Sequence, residues 1–290
     1  MEKRIDFRDQ ISRNKVKSFF LSVSVLIFII LLGYVISLAF SPAYFFTIMI
    51  LAIIFSVIYT LVSYYNSDKI AIASVGAKEA DKTRHKQFYD LVESLTIASG
   101  LPMPRLYIMD SPQINAFASG RDPEHAVVCV TRGALEKLDK RELEGVLAHE
   151  MSHIKNFDIR YMTLVAVMVG MVAIISEIFL RSLWFREGNS RNNGIFIFIG
   201  IALAILAPIV VWLVQMGISR KREFTADASA VYFTRYPHGL INALEKIKKE
   251  NEPDKKVSKA VAPLFFSSPL RNLTATHPPI EKRIQVLERM

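Results

Sequence analysis

The sequence predicts an α-helical membrane protein: four transmembrane helices joined to a mostly α, α+β domain containing a small β-sheet. Three observations carry this. Of 290 residues, 51% are apolar and only 22% are charged, too apolar for an ordinary soluble protein and too charged for a bare bundle of membrane helices. Four stretches, 19–40, 43–65, 161–180 and 195–217, reach the roughly 20 apolar residues that a helix needs to cross a hydrocarbon core. The segments 66–160 and 218–290 together have the size of one soluble domain.

In chain order, 1–18 is a polar N-terminus and 19–65 a transmembrane hairpin. The apolar core of the first span exceeds the roughly 7 to 15 residues of a cleaved signal peptide, so it reads as a retained anchor. Ser41 and Pro42 leave only a tight, uncharged turn before the second span. Residues 161–217 form a second hairpin between the two halves of the soluble domain. Orientation follows the lysines and arginines, which collect on cytoplasmic flanks. Lys3, Arg4, Arg8, Arg13, Lys15 and Lys17 precede the first span, and Arg220, Lys221 and Arg222 follow the fourth. Arg181, Arg186 and Arg191, between spans three and four, weaken that bias without reversing it. Both termini and both soluble segments are therefore expected on the cytoplasmic side of the membrane.

Within 66–160, apolar residues at Phe88, Leu91, Val92, Leu95 and Ile97 recur at helical spacing and stop at Gly100, before Pro102, a helix with a clear end. The runs "RLYIMD", "INAFASG" and "HAVVCVT" are short, β-rich and bounded by turn residues, which predicts a small sheet. Asp139, with Glu142 three residues on, has the form of a capping box. It starts a helix carrying Leu143, Val146 and Leu147 on its apolar side.

That helix contains "LAHEMSHIK". Residues i and i+4 share a helix face, so His149 and His153 can present two imidazoles to one ion. Glu150 projects about 100° away, where a carboxylate can take a proton from an attacking water. Cys129 is the only cysteine, so no disulfide forms within the chain and any metal is held by His, Asp or Glu. The net charge of +9 lies largely beside the spans, where anionic lipid is the nearer partner. No nucleic-acid partner is expected.

Three protein ligands are the rule at a catalytic zinc. Position 159 is Ile and position 156 Asn, which excludes the extended metzincin pattern. Glu177 stands near the distance of a downstream glutamate ligand. Yet one continuous helix would carry it roughly 36 Å from His153, and Arg181 at i+4 suits it as an ion-pair partner; its role stays open. Glu223 in "REFTADASA" begins where the fourth span returns the chain to the face of the His149 helix. Asp227, at i+4, can accept a hydrogen bond from a ligand imidazole. Asp158 reads as a structural cap or ion-pair partner, and His85, His125 and His238 as exposed.

"VLAHEMSHIKNFD", "REFTADASA", "NAFASG" and "HPPIEKRI", in this order, resemble HtpX-type membrane zinc proteases, relatives of the CAAX prenyl-protein endopeptidases. The resemblance spans about 99–284. It implies a zincin-like catalytic domain and one Zn2+ held by His149, His153 and Glu223. It implies Glu150 as general base, Asp227 behind a ligand imidazole, and His277 and Arg283 as stabilisers of the tetrahedral intermediate. It also implies that Asn115, Ala116 and Phe117 lie on an edge strand that pairs with substrate. The expected activity is endoproteolysis of misfolded or damaged membrane proteins in the stressed cell, the partners being polypeptide substrates and the lipid bilayer. A prenyl-peptide endopeptidase and a catalytically idle membrane scaffold are the alternatives. The sequence leaves open whether the chain works alone, as a homo-oligomer or within a membrane protease complex.

Overall fold

The computed structural model describes residues 45–163, 220–250, 265–266 and 278–290, with isolated positions between 16 and 34. Most of the spans expected at 19–40 and 161–180, all of 195–217, and Glu177, Arg181 and His277 lie outside the described residues.

Helix α1 (Phe45–Tyr65) has no charged side chain, and Phe46, Ile50, Leu51, Phe55 and Ile58 on it are all exposed. A bend of 77° separates its later part from α2 (Ser67–Ser74). Among the described residues no single helix is long and apolar enough to cross a membrane. The bent pair Met49–Tyr65 and Ser67–Ser74 meets that requirement by length and composition. Arginines fasten this corner to the rest of the chain. Arg121 donates to the Tyr65 carbonyl at 3.0 Å, satisfying a helix end, Arg160 lies over the Tyr64 ring, and Arg105 pairs with Asp68.

Four strands follow: β1 (Lys78–Glu79), β2 (Arg105–Met109), β3 (Ala116–Ser119) and β4 (Val127–Thr131). Their order is β1-β2-β4-β3. β1 and β2 run antiparallel, β2 and β4 parallel, and β4 and β3 antiparallel. The expected runs are all strands; β1 is an addition too short to leave a periodic signal. Every residue of β4 is buried, as suits a strand covered on both faces.

Between β1 and β2, α3 (Lys86–Ser99) ends on Gly100 at φ 72°, the left-handed cap that glycine adopts without strain. After β4, α4 (Arg132–Lys137) leads to α5 (Lys140–Lys155). Asp139 and Glu142 cap α5 reciprocally: the Asp139 carboxylate accepts from the Glu142 amide, and the Glu142 carboxylate accepts from the Asp139 amide. Lys246 also donates to Glu142, at 2.7 Å, tying in a later helix. Residues 158–163 are helical, and Tyr161 and Thr163 are buried. The stretch expected to open a membrane span thus begins packed against protein.

Helices α6 (Arg220–Thr234), α7 (Pro237–Glu250) and α8 (Ile280–Leu287) complete the described elements. One core joins Phe88, Leu91 and Leu95 of α3, Leu147 and Met151 of α5, and Leu244 of α7 to one face of the sheet. On the other face Ala71 and Ile72 of α2 meet Met109, Phe117, Val127, Cys129 and Phe265. The α5–α7 crossing depends on two glycines. A Cβ on Gly145 would sit 2.7 Å from the Leu240 amide nitrogen, and one on Gly239 2.4 Å from the Arg141 carbonyl oxygen.

Candidate metal centre

The capping box fixes the register of α5, and the core packing of Leu147, Met151 and Ile154 on one side turns His149 and His153 together toward α6. Their Nε2 atoms are 3.1 Å apart. Glu223, in the first turn of α6, brings Oε2 to 3.6 Å from His149 Nε2 and Oε1 to 3.7 Å from His153 Nε2. These three residues form a group whose ligand atoms all lie within 4.8 Å of one another.

The opposite edge of each imidazole is equally determined. His149 Nδ1 lies 2.9 Å from Asp227 Oδ1, and His153 Nδ1 lies 3.0 Å from Asp158 Oδ2. Donating Nδ1–H to a carboxylate leaves each Nε2 with a lone pair. Two such nitrogens facing each other at 3.1 Å, with a carboxylate alongside, call for a cation between them, either a proton or a metal ion. Ligand atoms bound tetrahedrally to zinc would stand about 3.3 Å apart, close to the spacings observed. The residues present therefore fit a divalent metal of the zinc type.

Each carboxylate is backed by an arginine. Arg283 of α8 grips Asp227 with both arms of its guanidinium, at 2.6 and 2.9 Å, and both residues are almost wholly buried. Arg222 lies 3.9 Å from Asp158 and immediately precedes Glu223. Asp158 reaches His153 because Phe157 adopts φ 58°, a left-handed turn unusual for an aromatic residue that folds the chain back over the end of α5.

Charge in this cluster is set by competition between burial and partners. Burial disfavours the Asp227 carboxylate, but Arg283 and His149 outweigh it and hold its pKa below the ordinary value. Burial also opposes a charged His153, yet Asp158, Glu223 and Glu150 lift its pKa to about 9. Glu150 is raised, chiefly by burial, against the lowering effect of both histidines and of a backbone hydrogen bond from Ala118.

The family model of peptidase family M48 matches residues 82–290. This chain belongs to peptidase family M48. It is 46% identical over 245 residues to a protein described as "Protease HtpX homolog" from Caldanaerobacter subterraneus subsp. tengcongensis, covering 81% of this chain and 82% of the relative. A relative of the same description from Dictyoglomus thermophilum is 41% identical over 293 residues, 99% of this chain and 96% of its own. One from Listeria monocytogenes serotype 4a is 39% identical over 302 residues, 97% and 99% of the two chains. Among solved structures, S. mikatae Ste24p shares the fold at a TM-score of 0.50 and 18% identity, over 96% of this chain and 66% of that one. As an M48 member the chain is a metalloendopeptidase.

Of the other residues marked in the M48 sequence, Asn115, Ala116 and Phe117 are buried at the outer strand β3. Arg283 stands on the Nδ1 side of His149, 3.3 Å from that nitrogen, with its guanidinium engaged by Asp227. Asp158 is the residue whose contact to the site the sequence did not disclose. Its spacing from His153 carried no signal, because a left-handed residue beyond the helix end makes the contact.

Proposed function

We propose that this M48 chain is an integral membrane zinc-dependent endopeptidase that degrades misfolded or damaged membrane proteins, with its catalytic groups at the cytoplasmic surface. The observation that carries the catalytic part is the convergence of His149 Nε2, His153 Nε2 and the Glu223 carboxylate while both Nδ1 edges are held by aspartates. A Zn2+ ion in that position supplies Lewis acidity to a substrate carbonyl and lowers the pKa of a water. Glu150, buried beside both histidines, receives the proton from the attacking water and delivers it to the departing amine as the C–N bond breaks. Asp227 and Asp158 keep the imidazoles in the ligating tautomer. Arg283 acts through Asp227, and His277 is the candidate donor to the tetrahedral oxyanion.

The membrane part rests on α1, whose exposed, charge-free apolar surface is unfavourable in water, and on the relatives' description as HtpX homologues. The test compares wild type with Glu150→Gln, both zinc-loaded in detergent, on unfolded casein. Equal rates would sink the peptidase mechanism. Membrane proteins that persist in cells carrying Glu150→Gln but not wild type would name the substrates. A membrane proteome identical in the two strains would remove the quality-control role.

A further inference from the structure

Beside the metal centre the chain meets itself. Backbone groups of an outer strand face alternately inward and outward. In β3 the Asn115 carbonyl faces inward and accepts from the Thr131 amide, so Ala116 and Ala118 present their groups outward. Three of these four groups are engaged: Asn115 Oδ1 accepts from the Ala116 amide at 3.1 Å, and the Ala118 amide bonds Glu150. The Ala116 carbonyl accepts from the Phe266 amide at 2.8 Å, and Phe265 bridges Phe117 in antiparallel register.

The two phenylalanines then part to opposite faces, as successive residues of an extended chain do. Phe265 packs 5.0 Å from the Phe117 ring, among Met109, Val127 and Cys129. Phe266 meets the His149 ring edge-on at 4.9 Å and lies under the Arg283 guanidinium at 4.6 Å. Both are 2% exposed.

An outer strand beside a peptidase metal centre is where an extended polypeptide adds through main-chain hydrogen bonds. Here the Ala116 carbonyl already has such a strand, in antiparallel register and within contact of a metal ligand. We propose that Phe265–Phe266 is an internal stand-in for substrate, displaced by an extended polypeptide that brings two adjacent bulky apolar residues of its own. The inference rests on the peptidase reading of the site and narrows it to a substrate class. The incoming strand must donate an N–H to Ala116 and refill both apolar pockets, since leaving either empty forfeits roughly 1.5–3 kcal/mol of burial per side chain. Small or polar segments, and folded proteins that offer no extended apolar pair, do not displace the occupant.

Phe117 and Phe265 form a non-hydrogen-bonded antiparallel pair, the geometry in which cross-strand side chains approach most closely. A Phe117→Cys, Phe265→Cys chain, made with Cys129→Ala to remove the native thiol, can therefore be locked by diamide and released by a phosphine. With the full-length, zinc-loaded protein in detergent, casein cleavage should fall at least tenfold on oxidation and return on reduction. Equal rates before and after reduction would show a fixed structural strand and overturn the proposal.

A second measurement decides the matter should the reduced double variant itself be inactive. Phe265→Cys with Cys129→Ala and Glu150→Gln is labelled with a maleimide in the presence of a peptide containing Phe-Phe or its Ser-Ser counterpart. Labelling should accelerate several-fold with the first peptide only; no acceleration with either, or equal acceleration with both, overturns the proposal. Casein cleavage by wild type that Glu150→Gln abolishes checks the peptidase reading separately.

Discussion

Asp158 accepts the Nδ1 hydrogen of His153 at 3.0 Å, across the end of the helix that carries the histidine. The pair repeats, with a different chain direction, the bond between Asp227 and His149. Both imidazoles of the cluster are thus fixed from behind, one by the helix that carries Glu223 and one by the turn that leaves α5.

Replacing Asp158 by Asn keeps the shape of the side chain but removes its charge. Zinc affinity, measured by competition with a chelating dye, should fall about 10- to 100-fold. The visible spectrum of the cobalt-substituted protein should shift as well, which a purely structural role would not cause. An unchanged affinity and spectrum would remove Asp158 from the site.

Glu150→Gln should separate metal binding from turnover. Zinc content by elemental analysis should equal that of wild type, while casein hydrolysis drops about 10²- to 10⁴-fold, the usual contribution of a general base. Loss of the metal in this variant would instead make Glu150 part of the binding set.

Arg283→Ala leaves the Asp227 carboxylate buried without its cation. Breaking a buried pair from one side costs about 3–5 kcal/mol, so thermal unfolding in detergent should move to clearly lower temperature. Arg283→Lys should recover only part of the loss, since an ammonium cannot reproduce the two-armed grip. Full recovery with lysine would mean that charge alone suffices.

Gly145→Ala places a methyl group 2.7 Å from the Leu240 amide nitrogen, which is backbone and cannot turn aside. The α5–α7 contact must open, at a cost of about 1–3 kcal/mol. The unfolding temperature reads this directly, and a variant as stable as wild type would show that the crossing has slack.

The helix ends and the placing of His149 beside His153 are legible in the sequence because they depend on local spacing. The i, i+4 histidines, the Asp139–Glu142 cap and the Gly100 helix end each follow from a few neighbouring residues. Glu223 was accessible through topology alone, from the expectation that the chain returns to the same face. What local spacing does not encode is long-range or stereochemical. The parallel pairing of β2 with β4 is a choice among strand orders that the β-rich runs do not encode. Asp158 reaches His153 only through the left-handed Phe157. The engagement of β3 by Phe265 and Phe266 joins residues whose separation leaves no periodic trace. The grip of Arg283 on Asp227 depends on how α8 docks.

His149 and the arginine that secures its partner aspartate are 134 residues apart. A ribosome therefore releases the two histidines long before Glu223, and Glu223 well before Arg283. Until residue 227 is made the nascent chain carries half a centre, with no Asp227 carboxylate to hold His149 in its tautomer. Translation order itself delays assembly of the full set of groups, so a cleaving agent is not completed while much of its own chain is still being made.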